Sequence, residues 1–169
     1  EMPAMAGGKL LGFQLWINMP AKFKKNKPEY LYIKSNQLGV HRDKDKIVKV
    51  IAGKYQKVEG PQKNHNVEPI YFHVVLEKEK EFKYELLDGH NSFIYLLKGE
   101  LEIGEKKHSK TDDSSLILLE RGNKLLIKAS KKSEFLFIAG KPIGESIARG
   151  GPFVMNTKAE ILEAIQDYN

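Results

Sequence analysis

Five histidines, His41, His65, His73, His90 and His108, are the side chains in this sequence best able to bind a metal or move a proton. Imidazole ligates divalent metals and titrates near neutral pH. Local ligation needs His-x-His or a comparably short spacing, and no two of the five have it. His41 and His65 fall in expected loops, His73 in an expected strand, His90 at a turn and His108 in a polar stretch. His90 stands out because it follows Gly89 at the mouth of a strand; the ordinary reading for all five is a surface or turn histidine. Glu77, Glu79 and Glu81 alternate with Lys78 and Lys80, which reads as a solvated turn. Nucleophilic catalysis finds no motif: there is no cysteine, no Gly-x-Ser-x-Gly, no phosphate loop and no dinucleotide fingerprint. Phe153 and Met155 could line an apolar pocket, but core packing is the plainer reading.

The 169 residues suffice for one ordinary domain or two very small ones. With 41% hydrophobic and 30% charged residues, the composition is that of a globular protein. The lack of cysteine excludes disulfides and thiolate metal sites. No apolar run approaches the ~20 residues of a membrane-spanning helix. Residues 1–17 have neither a basic start nor a continuous apolar stretch, so no membrane association or signal peptide is expected and the cytoplasm is the default location. The net charge of +6 raises the question of nucleic acid. The lysines at 22, 24, 25 and 27 and at 106, 107 and 110 are not interleaved with aromatics, however, and lysine far outnumbers arginine. A solvated surface fits this better than a base-reading one.

Strands dominate the pattern. Leu11, Phe13, Leu15 and Ile17 alternate with Gly12, Gln14, Trp16 and Asn18, predicting a strand over 10–18 that Pro20 ends. Further strands are predicted at 47–52, 70–76, 82–87, 92–97, 100–103, 115–119, 124–128 and 134–138. The separators are a loop at 59–69, a hairpin-type turn at Asp88-Gly89, Lys98-Gly99, the polar stretch 104–114, Arg121-Gly122-Asn123 and Lys131-Lys132-Ser133. Short strands at near-regular spacing argue for an all-β antiparallel sandwich or small barrel. Near the end, Gly151-Pro152 punctuates the chain and Thr157 stands three residues before Glu160, the capping-box spacing. Ile161, Ile165 and Tyr168 then predict one helix with an apolar face.

Four long stretches carry a resemblance. GFQLWINMP at 12–20, GHNSFIYLLKGELEIG at 89–104, FLFIAGKPIGE at 135–145 and GPFVMNTKAEILEAIQDY at 151–168 resemble the pirin family. Pirins are bicupins, with two β-barrels of the cupin type in one chain. The resemblance implies a truncated bicupin: residues 1–20 as the remnant of the first cupin, including its last strand, 21–69 as linker and leading strands, and 70–169 as the C-terminal cupin with its closing helix. It implies iron as the cofactor of the full-length family, quercetin 2,3-dioxygenase-like activity in some members, and in animals a role as a nuclear cofactor of transcription regulators.

The cupin metal motif, His-x-His with a nearby Glu and a later His, can be laid on this sequence through Gly99. Its first two histidine positions then fall within Glu85-Leu86-Leu87-Asp88, its glutamate at Ser92, and its last histidine at Leu125 after Glu120-Arg121-Gly122. The second barrel is therefore expected to hold no metal, in keeping with a family whose iron sits in the first. The exception is Glu1-Met2-Pro3, because the first barrel's ligand set in pirins ends in His-x-Glu before Met-Pro. Glu1 matches that glutamate; its companion histidines are not in this sequence. Two readings stand, Glu1 as a metal ligand completed from elsewhere, or Glu1 as a remnant before Met2. The expectation is that the chain alone carries no iron and little dioxygenase activity. The alternative function is a metal-free β-barrel that binds a protein partner. A strand at 10–18 with open edges would also favour a homodimer.

Overall fold

The computed structural model describes residues 7–8, 11–63, 66–104, 106–109 and 115–168. By contacts the chain forms two compact units, one from Lys25 to Gly144 and one joining the residues up to Lys24 with those from Glu145 onward.

The larger unit is built from ten strands: β1 (Gly39–Arg42), β2 (Lys46–Ala52), β3 (Lys54–Tyr55), β4 (Val58–Glu59), β5 (Ile70–Leu76), β6 (Glu81–Glu85), β7 (Asn91–Ile103), β8 (Lys106–Ser109), β9 (Ser115–Leu118) and β10 (Lys124–Gly140). Eight form one antiparallel sheet in the order β1-β2-β5-β10-β7-β8, with β6 added to β10 and β9 to β7; β3 and β4 make a separate hairpin. The two long strands organise the unit. The first part of β10 pairs with β6, its second part with β5, and β7 runs beside both parts. Side chains from both halves of β10 reach one core, in which Phe82 of β6 meets Phe135 and Phe137 edge-on at ring separations of 5.8 and 6.1 Å. The result is the expected sandwich of cupin type.

Alternation fills that core. In β5, Ile70, Phe72, Val74 and Leu76 are buried while Tyr71, His73 and Val75 on the other face are half-buried. Val48 and Val50 of β2, Ile94, Leu96 and Leu101 of β7, and Ile127 of β10 are buried with them. Removing this apolar area from water supplies the main driving force for the fold.

Several boundaries differ from the sequence reading. The strands predicted at 92–97 and 100–103 are one strand running through Gly99, and those at 124–128 and 134–138 are one strand running through Lys131-Lys132-Ser133, where the register against β7 shifts three times between Ala129 and Phe135. The Asp88-Gly89 turn does not close a hairpin, because β6 pairs with β10 and not with β7. His41 is in β1, not in a loop. Residues 11–18 join no β-ladder among the described residues, although their apolar alternation suggested a strand. Leu11 and Trp16 are each 67% exposed, so the pattern has no sheet to bury it.

The smaller unit holds β11 (Ala148–Gly150), β12 (Phe153–Met155) and α1 (Lys158–Tyr168). β11 and β12 form a hairpin through Gly151-Pro152, and Ile161 of α1 is buried over Gly150. The capping box forms as expected. The Thr157 and Asn156 backbone N–H groups donate to Glu160 Oε2 at 2.7 and 2.9 Å, and the Glu160 N–H donates to Thr157 Oγ1 at 3.2 Å. Lys24 donates to Asn18 Oδ1 at 2.6 Å and to the Val154 carbonyl at 2.8 Å, tying the 12–24 segment to β12. No helix among the described residues is long and apolar enough to cross a membrane.

Candidate functional site

The larger unit holds a concavity of about 800 Å³ bounded by the β3–β4 hairpin, the segment before β5 and the end of β6. Its floor is Tyr55 and Ile70, both buried. Tyr84 forms one wall, packed against Tyr55, Phe72 and Phe137 at ring separations of 6.4, 5.1 and 5.5 Å, and its hydroxyl donates to the Lys54 carbonyl at 3.2 Å. Burial pushes the phenols of Tyr55 and Tyr84 above their ordinary value, so both stay protonated at neutral pH. The rim carries Gln56, Gln62, Glu59, Glu68, Lys54 and Lys63, with Lys54 and Lys63 each 3.4 Å from Glu59.

The hairpin is folded tightly to make this shape. Gly53 has φ +81, and a Cβ there would lie 3.2 Å from the Pro69 carbonyl. Gln56 and Glu68, both on the rim, hold φ +53 and +47, the left-handed region that ordinary side chains avoid. His90 explains how one of them is held. It is 5% exposed, its Nε2 lies 3.3 Å from the Glu68 carbonyl, and its Nδ1 has no hydrogen-bond partner. With its proton on Nε2 the ring donates to that carbonyl and buries only a lone pair.

Of the positions on which a cupin metal motif falls, two reach this mouth. Glu85 and Leu87 line the cavity and Leu86 is buried beneath, its N–H donating to the Asn123 carbonyl at 2.9 Å. Ser92 and Leu125 are buried. Leu86, Leu87 and Leu125 offer a metal no ligand, and no histidine stands at any of these positions. The described histidines are also dispersed. His41 Nε2 is 3.0 Å from Asp43 Oδ2, His73 Nε2 is 2.7 Å from Glu134 Oε1, and His90 faces Glu68. His108 is placed on β8 opposite Leu101, while Glu1 and His65 lie outside the described residues. Among the described residues no three of His, Cys, Asp or Glu gather around a point that could hold a metal. The described residues therefore do not fit iron.

Asp43 is a strongly shifted carboxylate. Desolvation opposes its ionisation, but the His41 hydrogen bond, the Asp45 and Lys46 backbone N–H groups and the Lys46 ammonium outweigh that and bring its pKa down to about 2. The expected solvated turn around Glu77, Glu79 and Glu81 is found as surface ion pairs with Lys132, Lys128 and Lys83. Sequence reasoning passed over Tyr55, Tyr84, Gln56 and Glu68. Only the Gly53 and Gly60 turn signals flanking the hairpin pointed there.

A sandwich of this topology, with a mouth formed by loops above an aromatic core, defines a cupin. The family described as the Pirin C-terminal cupin domain matches residues 71–169, and the chain belongs to the pirin family. A pirin-like protein of Caulobacter vibrioides is 33% identical over 99% of this chain and 60% of its own length. A pirin-like protein of Solanum lycopersicum is 32% identical over 99% of this chain and 58% of its own. The crystal structure of a quercetin 2,3-dioxygenase from Acinetobacter baumannii superposes with a TM-score of 0.81 at 29% identity, covering 91% of this chain and 54% of that one. The chain thus spans about three-fifths of the length of the curated relatives it matches.

Proposed function

We propose that this chain is the metal-free C-terminal cupin of a pirin-type protein working in the cytoplasm. In this reading residues 1–20 continue a first cupin, residues 21–69 lead into the second, and residues 70–169 are the second. Any iron-dependent, quercetinase-like dioxygenation is then the work of ligands outside this barrel, with Glu1 the one candidate among this chain's own residues. The observation that carries the reading is the replacement of the motif's ligands by Leu86 or its neighbours, Ser92 and Leu125, with Leu86 and Leu125 buried. The named activity of the Acinetobacter baumannii protein supports the choice of chemistry for the family.

The test is an iron titration of the purified chain by metal analysis, with quercetin turnover followed by loss of its absorbance. Neither stoichiometric iron nor turnover is expected. One iron per chain that disappears in Glu85→Ala or Asp88→Ala would overturn the metal-free barrel.

A second reading has its own support. Trp16, Ile17, Met19 and Ile147 lie in the smaller unit, 43% to 67% exposed, around a cavity of about 610 Å³. Apolar surface of this kind marks association sites. In this reading the chain is an interaction module whose partner is a protein, in the simplest case a second copy. The exposed apolar side chains of this segment carry the homodimer in this reading.

A further inference from the structure

We infer that the cavity under the β3–β4 hairpin is a metal-independent binding site for a small, neutral, polyhydroxylated ring compound such as a glycoside. Four observations lead there. The volume of about 800 Å³ suits a one- or two-ring molecule. Half-buried Tyr84 forms one wall, a surface against which the apolar face of a saturated ring packs, above a floor of buried Tyr55 and Ile70.

The rim is polar but carries no net charge. Its three lysines, Lys54, Lys63 and Lys83, stand against three glutamates, Glu59, Glu68 and Glu85. Lys54 and Lys63 share Glu59, and Lys141 lies 3.9 Å from Glu68. The formal charges of the lining side chains balance, so the lining's net charge favours neither an anion nor a cation. What the rim offers is amides, carboxylates and ammonium groups in mixture, which hydroxyl groups match because each both donates and accepts.

The shape is also held at a conformational cost. Gln56 and Glu68 keep left-handed backbone angles, and the carbonyl of Glu68 is clasped by buried His90. Strain held in place by surrounding structure is characteristic of ligand sites. This inference concerns the barrel mouth alone and stands whether or not iron is bound elsewhere in the protein.

The experiment is an amide-resolved NMR titration of the full chain with three probes: methyl β-D-glucopyranoside, methyl β-D-glucuronide and benzyl alcohol. The expected result is saturable shifts at Gly53, Gln56, Gln62 and Tyr84 with the glucoside, and binding weaker by about tenfold or more for the other two. Gln62→Ala should weaken the glucoside several-fold and Tyr84→Ala by about tenfold or more. Tyr84 packs against three rings and its truncation can unfold the barrel, so Gln62→Ala is the deciding variant. Equal or tighter binding of the glucuronide would overturn neutrality, and equal binding of benzyl alcohol would overturn the polyol. Glucoside shifts that never saturate, or that map to residues 147–155, would overturn the site.

Discussion

Gly99 of β7 lies directly against Ser133 of β10, at the point where the two longest strands bend together. A Cβ on Gly99, whose φ is +96, would collide with Ser133 Oγ and stand 2.6 Å from the Lys132 carbonyl. Ser133 is 1% exposed; its hydroxyl accepts the Glu100 N–H at 2.9 Å and lies 2.7 and 3.0 Å from the Lys131 and Glu100 carbonyls. The serine thus completes the ladder that the bulge interrupts. Gly99→Ala should cost about 3 kcal/mol or more, from backbone strain plus an overlap with main chain that cannot swing away. Ser133→Ala should cost about 1–3 kcal/mol by removing the buried hydroxyl that accepts the Glu100 N–H and bridges the two strands. Urea unfolding measures both. A loss for Gly99→Ala below ~1 kcal/mol would mean that the bend relaxes freely.

That contact also shows why the sequence yields the strands better than their continuity. Ile70 to Leu76 could be read residue by residue, because its alternation reports a buried face and β5 has the predicted bounds. Lys98-Gly99 and Lys131-Lys132-Ser133 look like turns by composition. What makes them bends within strands is a pairing between positions more than thirty residues apart, invisible to a local pattern. The alternation at 11–18 misled in the opposite way, since period-two spacing specifies a strand only where a sheet edge receives it. Ser92 and Leu125, on which the resemblance lays the motif's glutamate and last histidine, are identities that any reader of the sequence sees directly. The cavity was not, because Tyr55, Glu68 and Tyr84 meet only once the hairpin folds over β6.

Acid should unfold this protein partly through Asp43. Its folded pKa of about 2 lies below the unfolded value near 4, so its contribution is complete above about 4 and is lost as pH falls towards about 2. Thermal midpoints of Asp43→Asn and the parent should differ at pH 6 and converge near pH 2. A difference that persists unchanged at the acid end would show that Asp43 acts through shape and not through charge. Its side chain is 38% exposed, so solvent screens the effect and the gap should be modest.

The start of α1 depends on two side chains. Thr157→Ala removes the acceptor of the Glu160 N–H and should cost about 0.5–2 kcal/mol. Glu160→Ala frees the Asn156 and Thr157 N–H groups together and should fray the same turn. Amide exchange at Ala159 to Ile161 reads this locally. Exchange in β5 should not change, because the helix belongs to the other compact unit. Protection lost equally in both places would mean that the two units unfold as one.

Self-association can be followed through a single residue, because Trp16 is the sole tryptophan. At 67% exposure its emission should be that of a solvated indole in dilute solution. If the apolar side chains around it receive a second copy, emission should shift to the blue as concentration rises, in step with the mass seen by sedimentation equilibrium. Trp16→Ser leaves no such reporter but should lower the association constant by about tenfold or more, since buried aromatic anchors dominate interfaces. Ile147→Ser keeps the reporter and should weaken association with the tryptophan still exposed in the monomer. Both positions are exposed, so neither change should move the folding midpoint by more than about 0.5 kcal/mol. A monomeric mass and a fixed emission maximum across the accessible concentration range would remove the homodimer. The apolar patch would then call for a partner other than this chain.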